Sequence, residues 1–258
     1  MVSLAVPARH NERLSALVQL AEADAELIQL LKSANVNAVD RSGINDHGEV
    51  HVRIVANAAL RILRYLTEAG IEPSVVEHHG LTREDAEVVV VLAAWLHDLG
   101  IAFHRDEHER YSLILGYSKA RQLLAGIYPE PHLTAMAADV MHAVIAHSAE
   151  ERCLTIEAGV LKVADALDMT QGRSRIPFEA GKVNIHSVSA LAVKSVTIER
   201  GEERPVRVSV LLSASAGIFQ VDELLRRKLS NSTLAPYVEV VARIEGDTEP
   251  RLFEVYKL

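Results

Sequence analysis

The chain has 258 residues, of which 49% are hydrophobic and 24% are charged, and its formal net charge is −8. The apolar content excludes a wholly disordered chain, and the acidic balance disfavours a nonspecific nucleic-acid binder, which needs a basic surface. The single cysteine, Cys153, excludes an internal disulfide and a Cys-x-x-Cys zinc site, so a reducing, cytoplasmic location is expected.

Up to about residue 170 the apolar residues recur at the spacing of α-helices, beginning with the stretch from Leu14 to Leu31. A helix is predicted over Glu49–Ala69, with Gly70 as a natural end. A capping box, Thr82-Arg-Glu-Asp85, opens a nearly all-apolar helix that ends near Gly100 and is therefore expected at the centre of its domain. Three more helices are predicted over Glu109–Leu124, Leu133–Ala146 and Glu157–Met169.

After Gly181 the sequence takes on the pattern of β-strands. Two Val-rich stretches, 191–200 and 205–214, are joined by a predicted hairpin connection. Phe219–Leu229 is predicted to be an amphipathic helix, and strands 237–245 and 251–258 follow. The sequence therefore predicts a mainly α fold, with a helical domain over residues 1–180 and a small α+β unit of order β-β-α-β-β over residues 181–258.

Histidine is unusually frequent and unevenly distributed. Ten of the 12 histidines lie within residues 47–147, and imidazole is the commonest metal ligand in proteins. The strongest feature is the pair His97-Asp98 at the end of the apolar helix, because a buried His beside a buried Asp is costly unless both have partners. A divalent metal ion satisfies both. Residues of the same types lie in or beside other predicted helices: His51, His108, His147 and Asp165.

Ligands of these types indicate a particular chemistry. Imidazoles and carboxylates suit divalent ions in four- to six-coordinate sites, so we expect one or two ions of Mn, Fe, Co, Ni, Zn or Mg. Each ligand would come from a different helix, so a metal ion would also cross-link the helical bundle. An open coordination position would activate water.

The ordered motifs resemble the HD-domain superfamily of metal-dependent phosphohydrolases. AAWLHDLG, which contains His97-Asp98, is similar to the usual LLHDIG, and LKVADALD, which contains Asp165, is similar to the usual ADxLD. The resemblance covers residues 45–176, about half of the chain. It implies a helical fold, hydrolysis of a phosphate ester and a four-ligand metal site formed by His51, His97, Asp98 and Asp165.

The number of metal ions is left open by this resemblance, although two are favoured over one. Superfamily members with two ions carry two extra histidines between the HD pair and the last Asp, an interval into which His108 and His147 fall. In such members Asp98 would bridge the two ions. Asp168, one turn after Asp165, is an alternative ligand, and His47 belongs either to the outer shell or to a loop.

Further residues are predicted to contact the substrate. His104 is a candidate proton donor to the leaving oxygen, and together with Asp98 it forms the predicted catalytic pair. Arg105 offers a guanidinium for bidentate phosphate binding, with a surface salt bridge as an equal alternative. The remaining predicted phosphate contacts, each with a solvated-surface alternative, are Lys162, Arg173 and Arg175.

The sequence thus predicts a metal-dependent phosphohydrolase, either a phosphodiesterase or a phosphomonoesterase, acting through metal-activated water on a nucleotide or another small phosphate ester. Two alternatives stay open: a di-iron oxygenase with the same ligand arrangement, and a non-enzymatic nucleotide-binding sensor. The expected partner is a small phosphorylated molecule, and the apolar C-terminal strands allow a homo-oligomer. No apolar stretch is long enough for a membrane span, and no extended nucleic-acid surface is evident.

Overall fold

The computed structural model describes residues 4–170, 189–245 and 255–257. Up to residue 170 the described chain is a helical bundle, which confirms the mainly α fold class. Its helices are α1 (Glu12–Ala23), α2 (Ala25–Asn35), α3 (Glu49–Glu68), α4 (Ser74–His79), α5 (Arg83–Leu96), α6 (His108–Leu124), α7 (His132–Ala146) and α8 (Ile156–Ala166). A π-helical turn, Val36–Arg41, follows α2, and a 3-10 turn, Leu99–Ala102, follows α5.

The N-terminal helical pattern forms two helices rather than one. Asp24 has an extended backbone (φ −82°, ψ 97°), which ends α1, and its side chain accepts a hydrogen bond at 2.9 Å from the backbone N–H of Leu27 in α2. The apolar spacing continues across this break, so the periodicity alone did not show it. An Asp at a helix N-cap supplies the acceptor that the first turn lacks.

Helix α5 is the central helix, as its apolar sequence predicted. Every residue from Asp85 to Leu96 is buried, and the helix packs against α3, α7 and α8. The predicted capping box is present: the Thr82 side chain accepts from the Asp85 N–H, and the Asp85 carboxylate accepts from the Thr82 N–H at 2.9 Å. Two hydrogen bonds thus fix the start of the helix whose other end carries His97.

The C-terminal unit is α+β, as predicted. Strands β1 (Val193–Arg200), β2 (Val206–Leu212), β3 (Val238–Ile244) and β4 (Val255–Lys257) form one sheet in that order. The pairs β1–β2 and β3–β4 are antiparallel, whereas β2 and β3 are parallel. A parallel pair needs a crossover, and here a π-helical segment, Gln220–Arg226, runs into the short helix α9 (Arg227–Ser230) between the two strands.

The two parts of the chain share one hydrophobic core. Buried residues of β2, such as Val206 and Val208, belong to the same cluster of contacting apolar side chains as Leu60 of α3 and Leu161 of α8. The domain boundary expected at residues 180 and 181 lies outside the described residues. Of the helices that the structure describes, none has the length and apolar character of a membrane span.

Candidate metal centre

Five helices bring the six predicted metal ligands together at one end of the bundle. His51 lies in the first turn of α3, where Asp46 Oδ1 accepts from its backbone N–H at 3.1 Å. His97 and His147 directly follow α5 and α7, and each of these helices therefore ends at the centre. Asp98 follows His97, His108 begins α6, and Asp165 lies in the last turn of α8.

A first group of donor atoms surrounds His51. Its Nε2 atom lies 3.3 Å from His97 Nε2, 3.3 Å from Asp98 Oδ2 and 3.4 Å from Asp165 Oδ1. His97 Nε2 in turn lies 3.2 Å from Asp98 Oδ2. Two imidazole nitrogens and two carboxylate oxygens thus converge on one point, in a donor set that suits a divalent cation.

A second group lies on the other side of Asp98. His108 Nε2 is 3.1 Å from Asp98 Oδ1, and His147 Nε2 is 3.8 Å from the same oxygen. The Oδ1 atom of this buried carboxylate faces the second group, and its Oδ2 atom faces the first. Asp98 therefore lies between the two groups of donors.

The hydrogen bonds of the imidazoles support metal binding independently of the distances. His97 and His147 direct Nδ1 at backbone carbonyl oxygens three residues earlier, at 2.8 and 2.6 Å. His51 directs Nδ1 at Asp168 Oδ2 at 2.6 Å. An Nδ1–H donated to an acceptor leaves an unprotonated Nε2 with a lone pair pointing inward in the neutral ring. Two such neutral rings would place lone pairs on Nε2 atoms only 3.3 Å apart, a repulsion that either a cation or a proton between His51 and His97 relieves.

In the metal-free protein, protons balance the charge of this cluster. Burial opposes ionisation of Asp98, yet His97, His47 and His108 hold the pKa of Asp98 well below its usual range. Burial also opposes protonation of His97, but Asp98 and Asp165 outweigh it and raise the pKa of His97 to about 10. By contrast, burial holds the pKa of His147 well below its usual value. A proton on His97 thus supplies positive charge at the place where a divalent cation would supply it.

Local packing fixes His108 beside the His97-Asp98 pair. A Cβ atom added to Gly100 would lie 2.0 Å from the His108 carbonyl oxygen, so only glycine lets α6 approach this closely. Ser112 Oγ then donates to the His97 carbonyl oxygen at 2.6 Å and accepts from the Gly100 N–H at 2.8 Å. Gly100, in the sequence HDLG, therefore allows α6 and its first residue His108 to lie close to the His97-Asp98 pair.

The predicted substrate contacts are less closely grouped than the predicted ligands. His104 is exposed, and its Nδ1 accepts from the Asp106 N–H at 3.1 Å. Arg105 is also exposed, but its guanidinium reaches His108 Nδ1 at 2.7 Å. Arg173 and Arg175 lie outside the described residues. The structure therefore brings Arg105 to the edge of the cluster and leaves His104 in the adjoining loop.

Lys162 has a different environment from the one expected for a phosphate contact. It is fully buried, and its ammonium donates to the backbone carbonyl oxygens of Glu151 and, at 3.2 Å, Asn231. Burial lowers its pKa. These contacts join α8 to the C-terminal unit and give a phosphate-binding role for Lys162 no support.

Four residues outside the predicted ligand and substrate set also contact the centre. His47 Nδ1 lies 2.6 Å from Asp98 Oδ2, Glu109 Oε2 lies 3.3 Å from His108 Nδ1, and the Lys228 ammonium pairs with Asp165. Asp168, considered as an alternative ligand, contacts the outer nitrogen of His51 instead. The position of His47 four residues before His51 indicated it, whereas no sequence signal indicated Lys228, which lies in the C-terminal unit.

A helical bundle that holds a cluster of His and Asp side chains between its helices is typical of proteins with a metal site in this position. The family model "HD domain" matches residues 48–170. A curated protein of Methanocaldococcus jannaschii, described as "Uncharacterized protein MJ1020", is 45% identical over 217 residues, which make up 84% of this chain and 84% of that protein. The chain belongs to the HD-domain family, whose members generally are metal-dependent hydrolases. No solved structure matches the chain.

Proposed function

We propose that the protein is a metal-dependent phosphohydrolase, a phosphodiesterase or a phosphomonoesterase, that acts on a nucleotide or another small phosphate ester. The observation that carries the proposal is the placement of Asp98, whose two carboxylate oxygens face separate groups of imidazoles. Two divalent cations are expected in this proposal, one held by His51, His97 and Asp165 and the other by His108 and His147.

The chain's own residues would prepare the site for in-line attack at phosphorus. Bound cations would act as Lewis acids towards the phosphoryl oxygens and lower the pKa of a bound water. Asp98 would hold both ligand groups at a fixed separation, and Asp168 would keep the His51 ring in the ligand orientation. The burial of this cluster, with Asp98 2% exposed, limits competing solvent and strengthens the local electrostatics.

Arg105 is the predicted phosphate contact that this geometry supports best. When His108 acts as a ligand through Nε2, its Nδ1–H donates to the Arg105 carbonyl oxygen, 3.1 Å away. The Arg105 guanidinium then has no acceptor on that ring nitrogen and can turn to an anion. His104 as proton donor and the arginines Arg173 and Arg175 as further anion contacts stay predictions.

Assays with added metal test the proposed activity. The protein would be stripped of metal, reloaded with Mn²⁺ or Co²⁺, and tested against nucleotides and simple phosphate mono- and diesters. We expect release of phosphate or of a nucleoside monophosphate that the chelator EDTA abolishes and that Asp98→Ala lacks. Absence of turnover by fully loaded protein across the whole panel would contradict the proposal.

The same preparations separate the alternatives. A brown protein with two irons and oxygen uptake would indicate an oxygenase. Tight nucleotide binding without turnover would indicate a sensor.

A further inference from the structure

Contacts to the loop that follows α7 hold the C-terminal unit beside the metal centre. Asn231 donates from Nδ2 to the carbonyl oxygens of Ala149 and Glu151, at 2.9 and 3.2 Å. The buried Lys162 ammonium links the Glu151 carbonyl to the Asn231 carbonyl. The loop begins immediately after His147, so the end of α9 has a fixed place next to a predicted ligand.

From α9, the side chain of Lys228 enters the centre. Its ammonium donates to Asp165 Oδ2, while Asp165 Oδ1 faces the Nε2 atoms of His51 and His97 at 3.4 and 3.7 Å. The ammonium therefore lies beside the first group of donors, on the carboxylate oxygen of Asp165 that points away from His51 and His97.

Lys228 has the properties of an anion-binding group beside this centre. Its side chain is 19% exposed, so it is in contact with solvent. An ammonium carries three N–H donors, and among the described residues its hydrogen bonding is to Asp165. Two donors are therefore left, within this part of the chain, for an oxygen that approaches from solvent.

We propose that Lys228 is a substrate-binding residue whose ammonium contacts a nonbridging phosphate oxygen, so that the C-terminal unit completes the active site. This inference rests on the proposed phosphohydrolase function. It gives the C-terminal unit a part in substrate binding. The unit supplies a positively charged side chain to a site whose nearby side chains include two carboxylates, Asp98 and Asp165. A phosphate dianion is stabilised there by charge-assisted hydrogen bonds.

A purely structural role for Lys228 predicts different measurements. If the ammonium only neutralised Asp165, its removal would change the metal content and leave the affinity of the fully loaded centre for anions unchanged. If it contacts phosphate, its removal weakens anion binding at full metal loading. Inorganic phosphate is a suitable probe, because it carries the charge and the oxygens without requiring knowledge of the substrate.

The experiment measures phosphate binding to the full-length, metal-loaded protein by isothermal titration calorimetry, with metal content determined on the same samples. Lys228→Met keeps the aliphatic stem and removes the charge, and we expect about ten- to hundredfold weaker binding. Lys228→Arg should recover part of the affinity. Arg227→Met is the matched control, since Arg227 pairs with the exposed Glu150, and it should bind phosphate as the wild type does.

Several outcomes would overturn the assignment: unchanged phosphate affinity of Lys228→Met, loss of its metal, or no phosphate binding by the loaded wild type. Lys228→Gln gives a second neutral variant if the Met variant does not fold. Ester hydrolysis is measured separately. If Lys228→Met leaves turnover unchanged, this inference is overturned but the proposed function is not. Lys228-dependent phosphate binding without any turnover supports the inference and overturns the proposed function.

Discussion

The Nδ1 atom of His51 lies 2.6 Å from Asp168 Oδ2, and the Nε2 atom of the same ring faces the predicted metal ligands. A carboxylate that accepts the outer N–H of a ligating imidazole fixes its tautomer and raises its basicity. We expect Asp168→Ala to lower metal affinity by about ten- to a hundredfold. Competition with a fluorescent chelator would measure this loss.

The matched variant is Asp168→Asn, whose amide oxygen still accepts the His51 N–H but without charge. It should fall between Asp168→Ala and the wild type. Equal metal affinity of all three proteins would show that His51 is oriented by other contacts.

The bridging position of Asp98 predicts how metal content responds to single substitutions. Asp98→Ala removes oxygens from both groups and should leave less than one ion per chain. His108→Ala affects only the group that faces Oδ1, so it should reduce the content from two ions to about one. Elemental analysis of dialysed protein gives these ratios directly.

His132→Ala provides the control for metal content, because this exposed histidine begins α7 at the opposite end from His147. It should bind metal as the wild type does. A wild-type content of one ion, unchanged in His108→Ala, would argue for a single-metal site.

The sequence predicted the helical bundle, and it indicated His and Asp side chains that the structure brings together, because both leave a local signal. Buried helices show apolar periodicity, and His97-Asp98 stands out as a polar pair at the end of a helix that is buried on all sides. The split between α1 and α2 was missed, since one capping residue, Asp24, breaks the helix without changing the pattern.

Contacts between distant segments were beyond the reach of sequence reasoning. Lys162 is one turn before Asp165 in sequence, yet its ammonium donates to the backbone carbonyl oxygens of Glu151, in the loop after α7, and Asn231, in the C-terminal unit. Lys228 is far from every motif and still reaches Asp165. Such pairings depend on how the C-terminal unit packs against α8, and that packing cannot be predicted from the residue pattern of either segment.

Metal binding should release protons in a pH-dependent way. The pKa of His97 is raised to about 10 in the metal-free protein, so near neutral pH this ring must lose a proton before Nε2 can bind a cation. Proton competition weakens metal binding at low pH, and apparent affinity should rise by up to about tenfold per pH unit below that pKa. Calorimetry in buffers of different ionisation enthalpy, between pH 6.5 and 8.5, counts the released protons. No release at pH 7.5 would contradict this expectation.

The predicted role of His104 as proton donor is testable through the leaving group. His104→Gln should slow hydrolysis of alkyl phosphate esters about a hundredfold or more, since a poor leaving group needs protonation. Hydrolysis of p-nitrophenyl phosphate should change little, because that leaving group departs as an anion. Equal effects on both substrates would instead indicate a role in binding or folding.

Asp85 links three segments at the start of α5, and its removal should destabilise the fold. Its buried carboxylate accepts from Tyr128 Oη at 2.6 Å, from Arg13 at 2.5 Å and from the Thr82 N–H. Asp85→Ala would leave the buried Tyr128 hydroxyl without its acceptor and would remove the capping contact to Thr82 and the ion pair with Arg13. We therefore expect a loss of about 3 kcal/mol in the free energy of unfolding. Urea denaturation measures this, and Glu84→Ala, an exposed neighbour, should stay within about 0.5 kcal/mol of the wild type.

Because of the same interactions, the contribution of Asp85 to the free energy of unfolding depends on pH. Burial opposes ionisation, but the hydrogen bonds from Tyr128, Thr82 and Arg13 outweigh it and lower the pKa of Asp85 below its ordinary value of 3.8. A lowered carboxyl pKa means that the stabilisation is complete above the unfolded-state value and is lost as the pH falls through the folded-state value. The stability difference between wild type and Asp85→Ala should therefore be constant from pH 6 to 8 and shrink below about pH 4. A difference that grew on acidification would contradict the ionised hydrogen-bonded state of Asp85.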